Sequence, residues 1–130
     1  MRRVVAGAAL ALLLSGVDAG AGMRRMIVLD LPYARVWEDA LKAVEGYPLD
    51  RAADGVIVTG WRERPAREGE SAFERVSERV TLRVERVSDL VTRVTVEVEA
   101  QGWRDGTWVS IHDTTATERA VLAKLREAHG

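Results

Sequence analysis

The stretch from residue 79 to residue 100, RVTLRVERVSDLVTRVTVEVEA, constrains the fold more than any other part of the chain. It divides into two halves, and in each half every second residue is apolar. The two apolar sets are Val80, Leu82, Val84 and Val94, Val96, Val98. Alternation with a period of two is typical of antiparallel strands that are buried on one face only. The sequence therefore predicts a long hairpin with one apolar face and one charged face.

A turn centred on Asp89 gives this hairpin a single register. It places Val84 opposite Val94 on the apolar face and Glu85 opposite Arg93 on the charged face. The same alignment also sets Arg79 opposite Glu99. Because both faces agree on one alignment, the register is well specified. We interpret the charges of the second face as solvated pairs and not as a binding site, since exposed pairs contribute little.

A second, tighter hairpin follows in GWRDGTWV, residues 102–109. Asp105-Gly106 is a strong signal for a two-residue turn, and it places Trp103 directly opposite Trp108. If the alternation continues beyond Val98, both tryptophan rings point away from the core. A β-bulge at Gly102 would instead turn both rings inward. The sequence leaves these two orientations open.

The remaining pattern predicts two helices and further strands. Residues 31–46 form an apolar stripe at helical spacing that includes Trp37, with Pro32 in the first turn and Gly46 at the end. The last segment opens with a capping box, Thr115-x-x-Glu118, and forms a terminal helix. Strands are predicted at 24–30 and 56–61, a turn at 50–55, and an exposed loop at 62–72. The order β-α-β-β-β-β-α predicts an α+β domain, an antiparallel β-sheet with two helices on one face.

The first 19 residues predict a secretory signal peptide. Arg2 and Arg3 precede an apolar run from Val4 to Leu14, and small residues follow. That run is too short to span a bilayer, which takes about 20 residues. The chain contains no Cys, so neither a disulfide nor a lipid anchor on cysteine is expected. We therefore expect one domain at 20–130, periplasmic or secreted, without stable membrane insertion.

Composition argues against several chemical functions. The formal net charge is −1 and Arg alternates with Glu, whereas nucleic-acid binding requires a clustered basic face. Cysteine nucleophiles are excluded, and His112 and His129 lie at opposite ends of the last helix, too far apart to share a metal. No glycine-rich phosphate loop is present. We expect no catalytic residue, no metal and no cofactor.

The aromatic composition favours a binding function. The chain has four Trp but one Phe and two Tyr, and Trp37 belongs to the core stripe of the first helix. Trp and Arg are the residue types enriched at interaction hot spots. The predicted partner-binding residues lie near strand ends: Trp61, Arg62, Arg64, Trp103, Arg104 and Trp108. For Trp61, a core position that closes the open end of the sheet is the favoured alternative.

Three segments resemble BamC-type domains, the family of the lipoprotein C component of the bacterial β-barrel assembly machinery. They are ARVWEDALKAVEG, DGVIVTGW and LAKLREA, and the shared pattern extends over residues 24 to 129. The residues that carry the resemblance are Val36, Trp37, Asp54, Gly55, Ile57, Thr59 and Trp61. The resemblance implies a helix-grip fold and a non-enzymatic, protein-binding role in the cell envelope, with outer-membrane assembly components as partners.

A different function follows from a second resemblance. The segment VLDLPYARVWEDAL is similar to the opening of START-like helix-grip domains, which hold a small apolar ligand between the sheet and the C-terminal helix. An enclosed apolar cavity of about 300 Å³ or more would favour this function. A packed interior with exposed Trp103 and Trp108 would favour partner binding. A hydrolase would require a buried carboxylate pair or His pair in a cleft.

Overall fold

The computed structural model describes residues 25–128, so the predicted signal peptide at 1–19 and His129 lie outside the described residues. Within that range the chain forms seven strands and two helices. In chain order they are β1 (Arg25–Leu29), α1 (Tyr33–Ala43), β2 (Leu49–Ala53), β3 (Val56–Thr59), β4 (Arg62–Arg64), β5 (Arg75–Ser88), β6 (Val91–Arg104), β7 (Thr107–Ile111) and α2 (Thr115–Glu127).

All seven strands belong to one antiparallel sheet with the order β1-β6-β5-β3-β2. Two short strands extend it at the far end of the long hairpin, where β4 pairs with β5 and β7 pairs with β6. Helix α1 packs on β5 and β6, and α2 packs on β6 and on α1. The predicted α+β class, with a helix-grip arrangement of two helices on one face of an antiparallel sheet, is confirmed. We call the helix-covered side of the sheet the inner face and the opposite side the outer face.

The β5–β6 hairpin has the predicted register. Val84 pairs with Val94, Glu85 with Arg93 and Arg79 with Glu99. The inner-face valines and Leu82 are buried, because the two helices cover them. The alternation of apolar residues thus specified both the strand pairing and the buried face.

The core lies between this inner face and the apolar stripes of the two helices. Val36 and Ala40 of α1, Ile57 of β3 and Leu125 of α2 are fully buried in it. Trp37, predicted as core, is partly buried and stacks on Tyr33 with ring centroids 6.1 Å apart. The helical spacing therefore identified the packed side of α1.

Two strands were not predicted. Residues 50–55 were expected to form a turn, but β2 pairs with β3 through a tight turn at Asp54-Gly55, where both residues have positive φ. Every residue of β2 is exposed, so it lacks the apolar alternation that reveals a strand. Arg62–Arg64 was expected to be part of a loop, but it forms β4 and pairs with Val76–Glu78.

The start of α2 also differs from the prediction. Its N-cap is Thr114 and not Thr115, so the predicted capping box is wrong. Glu118 instead accepts a hydrogen bond from the Thr114 hydroxyl at 2.7 Å and pairs with Arg25 of β1 at 2.8 Å. Because Glu118 is buried, this contact ties the start of α2 to the edge of the sheet and does more than cap a helix.

Candidate functional site

The tryptophan pair of the β6–β7 hairpin lies on the outer face. The pairing of β6 with both neighbours runs through Gly102 without a shift, so the bulge that would turn the rings inward is absent from this part of the chain. A side chain on Gly102 would overlap the ring of Phe73, which covers the inner face at this position. Trp103 and Trp108 are directly opposite, with ring centroids 5.2 Å apart in an edge-to-face geometry, and both are partly exposed.

Trp61 is a surface residue, and its favoured core position is wrong. Its relative exposure is 38 %, and it follows the end of β3, where the chain leaves the main ladder. The guanidinium of Arg79 lies 4.8 Å from the centre of the Trp61 ring, and the same Arg79 forms an ion pair with Glu99. The arginine is thereby held between an aromatic ring and a carboxylate.

The same arrangement recurs at the tryptophan pair. The guanidinium of Arg75 lies 5.2 Å from the centre of the Trp108 ring and pairs with Glu63, whose carboxyl pKa it lowers. The side chains that share this end of the outer face form what we call the Trp–Arg surface: Trp61, Arg75, Arg79, Trp103 and Trp108.

The Trp–Arg surface is balanced in charge, since Glu63 and Glu99 neutralise its two arginines. Between Arg75 and Arg79 on β5, Ser77 is only 4 % exposed and is paired with Glu63 of β4 and Gln101 of β6. Cation–π and ion-pair contacts restrict the rotamers of these arginines. The result is a surface of large, partly ordered side chains, which is the composition that supports tight contacts with another protein.

The three arginines predicted to accompany the tryptophans lie elsewhere. The guanidinium of Arg62 lies 3.8 Å above the Tyr47 ring, and that of Arg104 lies 5.4 Å from the centre of the Phe73 ring. The Arg64 side chain is 8 % exposed. On β4, Arg62 and Arg64 pair with inner-face positions of β5, so their side chains point away from the tryptophans. The structure brings together the tryptophans of the predicted site but not its arginines.

Arg64 is instead the centre of a buried charge cluster that the sequence did not reveal. Its guanidinium donates two hydrogen bonds to the Glu70 carboxylate, at 2.7 and 2.8 Å, and its Nε lies 2.8 Å from Glu78 Oε2. These hydrogen bonds lower the pKa of Glu70 to about 2, while Glu70 and Glu78 raise the pKa of Arg64. Glu70 and Arg64 are therefore held in their charged forms.

Glu78 joins this cluster to α2. It is 1 % exposed, and it accepts a hydrogen bond from the Thr117 hydroxyl at 2.6 Å and a weaker one from the Tyr47 hydroxyl at 3.4 Å. Arg67 donates to the Thr117 oxygen at 3.1 Å and lies 3.7 Å from Glu78. Burial, and next the charge of Glu78, raise the pKa of Tyr47, so this phenol stays neutral and can donate.

Strand and helix periodicity could have identified Glu78 and Glu118 as buried charges. Glu78 occupies an inner-face position of β5, between Val76 and Val80, where a charge must be paired. Glu118 lies on the same helical stripe as Val121 and Leu125. A charge at a position that the pattern assigns to the core is the signal. Its partners, however, come from other elements and cannot be read from the pattern.

A small cavity of about 80 Å³ borders this cluster, between the end of α1, β4 and α2. Its polar lining residues are Tyr47, Arg62, Arg67, Glu78, Thr117 and Lys124. Two larger depressions, of about 350 and 430 Å³, are grooves open to solvent. Within residues 25–128, no three His, Asp or Glu side chains come close enough together to hold a metal ion. Among the described residues, neither α1 nor α2 has the length and hydrophobicity of a membrane-spanning helix.

Comparison with known proteins shows likeness in structure only. No family model and no curated protein matches the chain. Similar solved structures include the di-domain ARO/CYC BexL from the BE-7585A biosynthetic pathway (14% identity, TM-score 0.40) and the di-domain ARO/CYC StfQ from the steffimycin biosynthetic pathway (11%, 0.37). Each match covers 81% of this chain, which spans 45% and 42% of those chains.

A third structure, an uncharacterised protein from Bacillus thuringiensis, matches at 6% identity and a TM-score of 0.32. That match covers 82% of this chain and 90% of the other. Identities and scores at this level assign no function to the chain.

Proposed function

We propose that this chain is a non-enzymatic, protein-binding accessory domain of the bacterial cell envelope, and that it contacts its partner through the Trp–Arg surface. The predicted signal peptide at residues 1–19 and the resemblance to BamC-type domains support a periplasmic setting. Outer-membrane assembly components, or other envelope proteins, are the proposed partners. Neither a lipid anchor nor nucleic acid has a part in the proposal.

The observation that carries the proposal is the position of the three tryptophans. Trp61, Trp103 and Trp108 share one end of the outer face, where Trp61 is exposed and Trp103 and Trp108 are partly exposed. Large aromatic side chains at a surface are the usual anchors of protein interfaces. Because carboxylates neutralise Arg75 and Arg79, a partner that offers apolar and uncharged polar groups fits this surface best. Its binding should therefore depend only weakly on salt.

The interior gives less support to the alternative, a START-like domain with a small apolar ligand. Between the sheet and α2, the side chains of Leu82, Val96 and Leu125 are fully buried and pack on one another. A cavity that Thr117, Val121 and Lys124 of α2 help to line measures about 80 Å³, and most of its lining is charged and polar. Sites for drug-sized apolar ligands are usually larger and mostly apolar, at about 300–1,000 Å³.

The electrostatics of the buried carboxylates argue against a hydrolase. Acid–base catalysis by two carboxyl groups requires one of them to keep its proton near neutral pH. Here Arg64 lies between Glu70 and Glu78, and it lowers the pKa of Glu70 to about 2. The geometry stabilises two charged groups, which suits a structural role.

The test is a double variant, Trp103→Ala with Trp108→Ala, expressed in cells and crosslinked to its neighbours in the envelope. We expect crosslinking to a specific envelope protein to fall at least about tenfold, since hot-spot tryptophans contribute about 2 kcal/mol or more. The free energy of unfolding should fall by only about 1–2 kcal/mol, because the pair is partly exposed and packs mainly on itself.

Val87→Ser with Leu90→Ser is the matched control, because these apolar residues are also exposed but lie at the tip of the β5–β6 hairpin. This control should keep the crosslinks. Equal loss in both double variants, or unchanged crosslinks in the tryptophan variant, would contradict the proposal. A collapse of thermal stability in the tryptophan variant would show that the pair has a structural role.

A further inference from the structure

We propose that the 80 Å³ cavity between α1, β4 and α2 is a binding site for a small carboxylate with a short apolar stem, of about the size of propionate. This site is on the helix side of the sheet, opposite the Trp–Arg surface. It is therefore independent of the proposed partner-binding function.

The charge balance around the cavity favours an anion. Three cations line it, Arg62, Arg67 and Lys124, together with one carboxylate, Glu78. Arg64 and Glu70 do not line the cavity and pair with each other. Lys124 also borders the neighbouring groove, whose lining includes Asp39 and Glu127. The three lining cations exceed the one lining carboxylate by two, and by one if Lys124 is assigned to that groove.

The hydrogen bonds of the cluster leave donors available to a ligand. Glu78 pairs with Arg64 and accepts hydrogen bonds from the Thr117 and Tyr47 hydroxyls. Its negative charge is therefore largely compensated and repels an anion less than an unpaired carboxylate would. Arg67 uses one nitrogen for Thr117, and an arginine carries several more N–H groups. Arg62 stacks on the Tyr47 ring, with its guanidinium 3.8 Å from the ring centre.

Contacts with neighbouring side chains restrict the positions of these donors. Arg67 contacts Thr117 and Glu78. Arg62 lies over the Tyr47 ring and beside Gly46, where a Cβ atom would come within 2.9 Å of its guanidinium. Preorganised donors bind an anion without losing much side-chain entropy on binding. The buried charges thus position the rim of the cavity.

The rest of the lining limits what the anion can be. Ala43, Ala120 and Val121 supply the apolar part of the lining. One water molecule needs about 10–15 Å³ of cavity, so 80 Å³ holds several waters or one carboxylate with a short alkyl stem. A bare phosphate would satisfy the cations but would leave the apolar part of the lining against a hydrated group.

The experiment is a titration of the full-length, isotope-labelled protein followed by the amide NMR signals, at low chloride concentration. The probes are sodium propionate, its neutral isostere propionamide, and inorganic phosphate. We expect propionate to produce saturable shifts around Thr117 and Ala120. Propionamide and phosphate should bind at least about tenfold more weakly, since each lacks one of the two features of the site.

Three variants sharpen the result. Arg67→Gln removes a donor and Ala120→Leu fills the cavity without changing its charge, and each should weaken propionate binding at least about tenfold. Arg119→Gln, on an exposed position of the same helix, should leave it unchanged. The dispersion of the same spectra shows whether each variant is folded.

Absence of saturable shifts with propionate at tens of millimolar would overturn the proposal. So would equal binding of propionamide or of phosphate, or binding that survives both Arg67→Gln and Ala120→Leu. None of these outcomes bears on the Trp–Arg surface, because the probed residues lie on the other face of the sheet.

Discussion

Glu78 and Arg79 are neighbours on β5, but they belong to two different charge systems. Arg79 points to the outer face, where it pairs with Glu99 and remains 40 % exposed. Glu78 points to the inner face, where its side chain is 2 % exposed and contacts Arg64. Pairs of Glu and Arg thus form a solvated ladder on the outer face and a buried cluster on the inner face. The alternation of side chains along a strand decides which system each residue joins.

The two systems differ in what the loss of one partner costs. An exposed pair contributes about 0–1 kcal/mol, since water solvates each charge when the other is removed. A buried charge that loses its partner is left without solvation, and the fold is destabilised by about 3–5 kcal/mol. The inner cluster is therefore expected to be needed for folding, whereas the outer ladder tolerates change.

The largest expected effect comes from Arg64→Leu. It removes the cation that pairs with both Glu70 and Glu78, so we expect the free energy of unfolding to fall by about 3–5 kcal/mol. Denaturant-induced unfolding measures this loss. Arg83→Leu is the matched control, because Arg83 lies on the outer face of the same sheet and pairs with Glu97 at 3.8 Å. Equal losses in the two variants would contradict the distinction between the two systems.

A smaller effect is expected from Glu70, and it depends on pH. Arg64 lowers the pKa of Glu70 from its usual value of 4.5 to about 2, so the folded state favours the charged carboxylate. Its stabilisation is complete above about pH 5 and is lost as the pH falls toward 2. We expect Glu70→Gln to cost about 1–2 kcal/mol at pH 7, reduced by solvent at the rim of the cluster, and almost nothing near pH 2.

Unfolding curves of the wild type and Glu70→Gln between pH 2 and 7 would test this dependence. Glu63→Gln is the comparison on the outer face, where the partner Arg75 and the carboxylate are both exposed. A stability difference for Glu70→Gln that stays constant over this range would show that the effect is steric and does not depend on charge.

The smallest effect is expected from Arg93→Gln. Arg93 pairs with Glu85 at 3.1 Å on the outer face, where both side chains are largely exposed. The free energy of unfolding should change by no more than about 0.5 kcal/mol, and less at high salt because ions screen the pair. A loss near that of Arg64→Leu would mean that the outer ladder is also essential for folding.

A structural feature could be predicted from the sequence where its residues repeat with a regular local spacing. The β5–β6 register, the Trp103–Trp108 pairing and the stripes of the two helices were all predicted, because each repeats a spacing of alternate residues or of helical turns. Strand β2 was missed because all of its residues are exposed, and β4 was missed because its three residues, RER, show no apolar pattern.

The candidate site was predicted only in part, for a related reason. Neighbouring positions in the chain suggested that Arg62 and Arg64 accompany Trp61. The pairing of β4 with β5 turns both arginines to the inner face, where one stacks on Tyr47 and the other is buried. The arginines that do contact the tryptophans, Arg75 and Arg79, come from β5, which only the strand order places beside Trp61 and Trp108.

The sequence by itself determined the α+β class, the long hairpin with its register, and the faces on which most side chains lie. These properties follow from contacts between residues close in the chain or from periodicity. Only the tertiary structure decided that Glu78 finds Arg64 and Thr117, and that Trp61 finds Arg79. A buried charge specifies that it needs a partner, but which residue supplies that partner depends on how distant elements pack.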